Sequence, residues 1–301
     1  MAGKYVQSEF SLVIDANVEL AETPIWDARI NKWYWTDLFM GDVHRFDPET
    51  GGDELFRTGQ LIGSAIPTDD VDKLMVSSES GLHLLDLSDG KLTFIVDPEN
   101  GNPNNRYNDT RVDARGRVFM SSVSKLYGTE EYSPDMLGGF YMVDTDKSVK
   151  TIEQGINQFN AIVWNSASTR MLVVDTYNQT LLCYDYDIEK GPISPGKVVI
   201  RFGALGMPDG INIDVEDNIY ICHWTGCISV WDKEFNHVDT IKYPVEFACC
   251  GGFGGRDMKD FYVASSKYKY TKEELNKNIG AGGVFSVRSR ITGRPDHFYK
   301  I

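Results

Sequence analysis

The chain has 301 residues, of which 42% are hydrophobic, and a formal net charge of −14. That charge argues against a nucleic-acid partner and against an anionic membrane surface, because both are bound through Lys and Arg. The N-terminus lacks the apolar run behind a basic start that a signal peptide has, and no stretch approaches the roughly 18–20 apolar residues of a membrane span. The five cysteines include no CxxC motif and make a poor disulfide framework. We therefore expect reduced cysteines in a cytoplasmic protein.

A repeated unit runs through the whole chain. In each copy, a short apolar run ends in small or polar residues, and a second run, usually opened by Gly, follows it. The first runs lie at 33–37, 74–78, 118–122, 172–176, 219–223 and 261–265. The second runs lie at 41–47, 81–87, 138–144, 180–187, 226–232 and 282–288. Both are of strand length and rich in β-branched and aromatic residues.

The spacing of these copies predicts the fold. Aligned positions in the first runs are separated by 41, 44, 53, 48 and 42 residues. Six copies at roughly 40–50 residues, each with several short strands, are typical of an all-β six-bladed β-propeller, here a single domain over 1–301. Residues 10–14 are expected to supply the outer strand of the last blade, although 297–301 could compete. The exception to the β pattern is 271–278, which predicts a short surface helix capped by Thr271.

A further strand precedes each first run, and in a propeller this strand lines the central channel. The aligned residues that open these inner strands are Glu22, Ser64, Asn108, Asn160, Asp209 and Cys250. Two carboxylates brought together in a narrow channel repel each other, and a hard divalent cation removes that cost. The ring therefore indicates a metal-binding channel. The alternative is that these side chains only solvate a water-filled channel.

Four segments carry a family resemblance: ETPIWD (22–27), NNRYNDTRVDARGRVF (104–119), QFNAIVWN (158–165) and MPDGINIDVEDNIYI (207–221). They resemble the signatures of the senescence marker protein/gluconolactonase/luciferin-regenerating enzyme family over residues 17 to 290. Members of that family are six-bladed propellers that hydrolyse sugar lactones with a divalent metal. The resemblance implies the same fold, activity and cofactor for this chain.

The resemblance also implies roles for individual residues. Glu22, Asn160 and Asp209 match the family's metal ligands, and Asp209 also matches the residue that transfers the proton. Arg106 and Asn108 match positions that contact the substrate, and Asn108 is alternatively a fourth ligand. Ca²⁺ is the expected ion, with Zn²⁺, Mg²⁺, Mn²⁺ or Fe²⁺ as alternatives.

This chain departs from the family pattern around those residues. Thr23 stands where the family has Gly, Ala161 follows Asn160 where the family has Gly, and Thr110 and Arg111 replace a Gly-Lys pair. The segment 121–123 reads Ser-Ser-Val in place of Gly-Thr-Met. The oxygen donors are kept while their surroundings differ, which puts the substrate in question.

Two long links are expected to roof the channel mouth, at 123–137 and 266–281. Tyr127, Glu130, Glu131 and Tyr132 in the first are candidate substrate contacts, and their acidic character would suit hydroxyl groups better than a substrate carboxylate. His223 could reach the site, and Trp224 could stack on a sugar face. Exposed loop polarity is the alternative for all of them.

The function that these patterns favour is hydrolysis of a sugar lactone, an aldonolactone such as gluconolactone, with Asp209 as general base and the metal as Lewis acid. One alternative is a phosphotriesterase-like hydrolase that uses the same metal site, and another is a non-catalytic calcium-binding propeller. The partner is a small molecule, and the sequence leaves the oligomeric state open.

Overall fold

Six small antiparallel sheets make up the computed structural model, which describes residues 3–301. The strands in chain order are β1 (Ser11–Ile14), β2 (Ala21–Asp27), β3 (Lys32–Asp37), β4 (Asp42–Phe46), β5 (Asp53–Arg57), β6 (Ile62–Pro67), β7 (Lys73–Ser78), β8 (Gly81–Asp86), β9 (Leu92–Val96), β10 (Asn105–Val112), β11 (Val118–Ser124), β12 (Gly138–Val143), β13 (Val149–Ile156), β14 (Phe159–Trp164), β15 (Arg170–Asp175), β16 (Thr180–Asp187), β17 (Gly191–Pro192), β18 (Lys197–Arg201), β19 (Pro208–Ile213), β20 (Ile219–His223), β21 (Cys227–Trp231), β22 (His237–Lys242), β23 (Ala248–Gly254), β24 (Asp260–Ser265) and β25 (Val284–Arg288).

The helical content is small. The helix α1 (Lys272–Lys277) begins after Thr271, whose side chain accepts a hydrogen bond from the backbone N–H of Glu274 while the Glu274 carboxylate bonds back to Thr271. This capping box confirms the predicted cap. A 3₁₀ turn lies at Gly203–Leu205. Among residues 3–301 there is no helix of the length and apolarity needed to cross a membrane.

The sheets are the blades of a six-bladed propeller, which confirms the predicted fold. Blades 1, 2, 3 and 5 each use four consecutive strands, β2–β5, β6–β9, β10–β13 and β19–β22. In blade 4, which runs β14-β15-β16, both β17 and β18 pair with β16. The inner strands β2, β6, β10, β14, β19 and β23 contact their neighbours around a closed ring, β23 meeting β2.

Blade 6 closes the ring with strands from both ends of the chain. Its order is β23-β24-β25-β1, with Leu12 opposite Phe285, so the outer strand comes from the N-terminal segment as expected. The C-terminal residues take another place, where Tyr299 forms a parallel bridge to Thr68 in the turn after β6. Stacked rings of Trp33 and Tyr262, with centroids 4.1 Å apart, join blades 1 and 6.

The core lies between adjacent blades, because each sheet buries both faces against its neighbours. Between blades 3 and 4, for example, Phe119, Phe140, Phe159 and Tyr184 belong to one buried apolar cluster. Inner strands such as β2, β10 and β19 are buried along almost their whole length, while the outer strand β5 is mostly exposed. The inner strands are therefore a rigid support for side chains that point into the channel.

Every inner strand carries a bulge near its beginning. The register shifts fall between Glu22 and Ile25, Ile62 and Ser64, Tyr107 and Thr110, Phe159 and Ile162, Pro208 and Ile211, and Ala248 and Gly251. A bulge turns its residues out of the regular alternation of the strand and is often found beside active sites. Here the bulges lie at the predicted ring positions.

Thr23 lies inside the first of these bulges with a backbone φ of 43°, a left-handed conformation that is costly for a β-branched residue. Its side chain is fully buried. This conformation accounts for the Gly at the matching position of the family pattern.

We expect Thr23→Gly to be more stable than Thr23→Ala by about 1 kcal/mol. Both variants delete the same buried atoms beyond Cβ, so they differ mainly in the strain that Cβ causes at a positive φ. Denaturant unfolding of the two variants, with a chelator present, measures the difference. Equal stability, or a more stable Ala variant, would show that the backbone here is not strained.

Candidate active site

A cavity of about 200 Å³ lies at the channel mouth where the inner strands begin. Its polar lining includes all five residues singled out in the sequence, namely Glu22, Arg106, Asn108, Asn160 and Asp209. Except for the half-buried Arg106, they are at most 8% exposed. Leu20, Phe39, Met207 and Trp224 contribute apolar and aromatic wall. The site is thus a small polar floor within largely apolar walls.

A chain of hydrogen bonds connects this floor. Arg106 donates from its guanidinium to Asn108 Oδ1 (2.9 Å), and Asn108 Nδ2 donates to Asn160 Oδ1 (2.9 Å). Asn160 Nδ2 donates to Asp209 Oδ1 (2.5 Å), and Trp224 Nε1 donates to Asp209 Oδ2 (2.7 Å). Both carboxylate oxygens of Asp209 are therefore fixed, which sets the direction in which the group faces the cavity.

The electrostatics of the floor are dominated by three buried carboxyl groups, those of Glu22, Asp109 and Asp209. Burial raises the pKa of Asp209 to about 7, with the Asp109 charge adding to the effect, against the Trp224, Arg106 and Asn160 interactions that lower it. Burial and the charges of Asp209 and Asp109 raise the pKa of Glu22 well above its ordinary value. Burial lowers the pKa of Arg106, but the three carboxylates oppose this, and a guanidinium stays charged.

These donors fit a divalent cation. A carboxylate oxygen of Glu22, one of Asp209 and the Cys249 sulfur lie within 4.8 Å of one another, and so do ligand atoms of Glu22, Asp109 and Cys250. Carboxylate and carboxamide oxygens are ligands that hard cations accept. Crowded carboxyl groups with raised pKa values are also what a bound cation would relieve.

The channel has two layers at this end, and this corrects the predicted ring in two blades. In blades 3, 4 and 5, Asn108, Asn160 and Asp209 each lie two residues before the inner-strand residue that pairs with the aligned position of the second strand. In blades 2 and 6 the residues at that place are Gly63 and Cys249, not Ser64 and Cys250. The predicted ring was aligned on the second strand of each blade, so a hairpin that is longer or shorter by one residue displaces the predicted inner-strand position by one. Cys250 lies in the deeper layer, where its Sγ donates to Asp109 Oδ2 (3.4 Å).

Both predicted roof segments reach the cavity, but of the four candidate contacts only Tyr127 lines it. Tyr127 and Gly128 come from the first link, and Tyr268 and Lys269 from the second. Glu130 and Glu131 are exposed and are not part of the cavity lining. Tyr132 packs against Tyr127 edge-to-face at 5.0 Å and bonds Asn157. The expected acidic roof is therefore wrong, and the roof is aromatic with one cation.

His223 and Trp224 behave differently although they are neighbours. His223 is fully buried with Nε2 bonded to Ser229 Oγ (2.7 Å), and burial lowers its pKa to about 4, so it stays neutral and outside the cavity. Trp224 lines the cavity, stacks on Phe247 and binds Asp209. Sequence reasoning considered Trp224 only as a stacking surface and missed its indole N–H as a partner of the carboxylate.

Two further cavity residues were missed. Thr176 accepts from Asn160 Nδ2 (3.1 Å) and donates to the Pro208 carbonyl (2.9 Å), so it joins the beginnings of two inner strands. Gln158 lies two residues before Asn160 and also lines the cavity. The available signal for Thr176 was its position at the end of a first run, next to the channel mouth.

Residues 20–267 match the family model described as SMP-30/Gluconolactonase/LRE-like region. The chain belongs to this family. Pentonolactonase XacC of Haloferax volcanii is 28% identical over 94% of this chain and 96% of its own, and the regucalcin of Danio rerio is 26% identical over 95% and 97%.

The fold of the family is seen in a solved structure as well. The calcium-binding protein regucalcin from Agrobacterium tumefaciens superposes with a TM-score of 0.89 at 23% identity, covering 96% of this chain and 97% of its own. Because the match covers nearly the whole of both chains, the two proteins share the six-bladed propeller fold.

Proposed function

We propose that this protein is a cytoplasmic sugar lactonase that opens an aldonolactone, such as gluconolactone, to the sugar acid. The observation that carries the proposal is the Asp209 carboxyl group, which two hydrogen bonds hold at the floor of a small cavity. A carboxylate positioned in this way can serve as general base toward a water in the cavity. The family's named lactonases support the reaction class.

The residues divide the chemistry among them. Asp209 takes a proton from the attacking water while the water oxygen bonds to the lactone carbonyl carbon. The tetrahedral centre then collapses, the ring C–O bond breaks, and the proton returns to the leaving alkoxide. Arg106 donates to the oxygen that gains negative charge, and Asn108 orients a substrate hydroxyl.

A divalent cation is part of the proposal, held by Glu22, Asn160 and Asp209. Ca²⁺ is our first expectation, with Zn²⁺, Mg²⁺, Mn²⁺ or Fe²⁺ as alternatives. When bound, the ion supplies Lewis-acid polarisation of the carbonyl and offsets the carboxylate charges. Asn108, bonded to both Arg106 and Asn160, fits the substrate role or that of a fourth ligand.

The test is a pH-drop assay of the metal-supplemented protein across a panel of aldono- and aldarolactones. We expect hydrolysis of at least one aldonolactone, and no activity in an Asp209→Ala preparation purified in parallel. No hydrolysis of any lactone by protein shown to hold metal would overturn the proposal. Turnover of paraoxon in place of lactones would point to a phosphotriesterase-like activity, and neither activity would point to a calcium-binding propeller.

Lys269 should favour lactones that carry a second, anionic group. Its side chain is exposed and lines the cavity, with Nζ 5.2 Å from the centroid of the Tyr268 ring. It forms no ion pair with another of the described residues 3–301. We expect Lys269→Met to lower kcat/KM for aldarolactones about 3- to 10-fold at low salt, less so at high salt, because an exposed charge is screened. Steady-state kinetics at two ionic strengths measure this.

The matched control for this change is Lys190→Met, which removes an exposed lysine from the hairpin of blade 4. It should leave kcat/KM for every lactone unchanged. An equal loss in Lys269→Met for neutral and anionic lactones would show that Lys269 acts through the shape of the roof instead of its charge.

A further inference from the structure

Gln158 is a polar side chain of the cavity that takes no part in the hydrogen-bond chain of the floor. Gln158 is 8% exposed, and its Oε1 is buried without a hydrogen-bond partner among residues 3–301. The polar groups beside it are satisfied by one another, since Asn108, Asn160 and Asp209 bond in a row. The Gln158 side chain therefore lines the cavity with an unpartnered amide, of which Oε1 is closed off from the cavity and Nε2 is not.

The backbone holds this side chain in place. The Gln158 carbonyl accepts from the Thr176 N–H (3.1 Å), and Phe159 directly after it packs into the core between blades 3 and 4. Rotation of the segment away from the cavity would break both interactions. The backbone of Gln158 is thus fixed beside the polar floor, directly before β14.

A buried, unmet acceptor costs about 1–3 kcal/mol, so Gln158 is not there for the stability of the ligand-free protein. The amide Nε2 is not closed off in this way and donates to no group among residues 3–301, so a ligand hydroxyl can accept a hydrogen bond from it. A hydroxyl suits a carboxamide because each group can both donate and accept. A neutral amide gives no comparable advantage to an anion, which distinguishes this position from Lys269.

Resting on the proposed lactonase function, we propose that Gln158 recognises a ring hydroxyl of the substrate and so selects polyhydroxylated lactones over lactones that lack hydroxyls. A site built to bond a hydroxyl rejects the analogue without it, because its own polar group is then left unpaired. Gln158 is in this view a specificity residue that contacts the substrate but not the reacting atoms.

The experiment compares D-glucono-1,5-lactone with δ-valerolactone, which has the same ring and no hydroxyls, in the metal-loaded full chain. We expect the wild type to prefer the hydroxylated lactone about 10- to 100-fold in kcat/KM, part of which comes from other contacts. Gln158→Leu should lower kcat/KM for gluconolactone at least about 5-fold and leave δ-valerolactone nearly unchanged. Gln158→Met, which keeps an unbranched chain, should give the same shift.

Gln154→Leu on the exposed strand β13 is the matched control and should not change the ratio of the two substrates. Thermal melting without ligand adds a second measurement, in which Gln158→Leu should be at least as stable as the wild type because an unpaired polar group is removed. Equal losses on both lactones, or no loss, in an active wild type would overturn the role of Gln158. Failure of the wild type on every lactone would instead overturn the proposed function on which it rests.

Discussion

Asp209→Asn should reduce kcat about 10³-fold and at the same time stabilise the metal-free protein at alkaline pH. The first effect follows because an amide cannot take a proton from water, and general-base catalysis contributes about 10²–10⁴-fold. The second follows because the wild-type carboxyl group is buried beside Asp109 and Glu22, and its pKa is raised to about 7. Activity and stability should therefore move in opposite directions.

The sign of the stability change follows from the raised pKa. The folded protein holds the Asp209 proton more tightly than the unfolded chain, so this group favours folding at a pH below about 4. That advantage is lost as the pH rises through the folded pKa of about 7. Between pH 5 and 8 we expect the free energy of unfolding of Asp209→Asn to gain roughly 2 kcal/mol relative to the wild type.

Urea unfolding at pH 5 and pH 8 with a chelator present measures this gain. Asp185→Asn is the control, because Asp185 is exposed and its removal should leave the difference between the two pH values unchanged. Retained lactone hydrolysis in Asp209→Asn would contradict its role as base. Loss of activity without a relative gain in stability at pH 8 would contradict the claim that the buried Asp209 carboxylate destabilises the metal-free fold.

The architecture could be predicted from the sequence because the same strand pattern recurs in all six blades. Strand length, apolar character and a period of 41 to 53 residues recur in every blade, so errors in one copy are corrected by the others. The donors at the floor were found for the same reason, since Asn108, Asn160 and Asp209 stand at one register in their strands.

What the sequence missed depends on single residues or on loops. The prediction placed Cys250 in the ring where the structure has Cys249, because an alignment of strands does not show that one hairpin differs from another by a residue. The roof has no periodic pattern, so the choice between Glu130 and Lys269 depended on loop geometry alone. The φ of Thr23 was likewise out of reach, although its departure from the family Gly marked the place.

Glu22→Gln should weaken binding of a divalent cation by about 100-fold or more, whichever of the two donor clusters in the channel holds the ion. Both contain Glu22, but one adds Asp209 and Cys249 while the other adds Asp109 and Cys250. Loss of the Glu22 charge removes much of the attraction for a cation in either cluster, in a channel where burial makes each charge count.

The measurement is the stability of the wild type and the variant, by thermal shift or urea unfolding, at increasing concentrations of each cation in turn. At a free concentration one hundred times the wild-type Kd, a bound ion stabilises the fold by about 2.7 kcal/mol, and a hundredfold weaker site by only about 0.4 kcal/mol. Glu189→Gln, which removes an exposed carboxylate at the outer rim, is the control and should bind as the wild type does.

Asp209→Asn and Asp109→Asn then locate the ion. We expect Asp209→Asn to abolish the stabilisation, because Asp209 lies in the upper layer with Glu22 and its oxygens face the cavity where a substrate carbonyl would meet the ion. Asp109→Asn should keep binding, weakened only modestly, because Asp109 is not a ligand but its loss leaves the Arg111 guanidinium, 3.9 Å away in the wild type, without this partner. Binding that survives Asp209→Asn and is lost in Asp109→Asn would put the ion in the deeper layer, away from the lactone, and would contradict the ligand set of Glu22, Asn160 and Asp209.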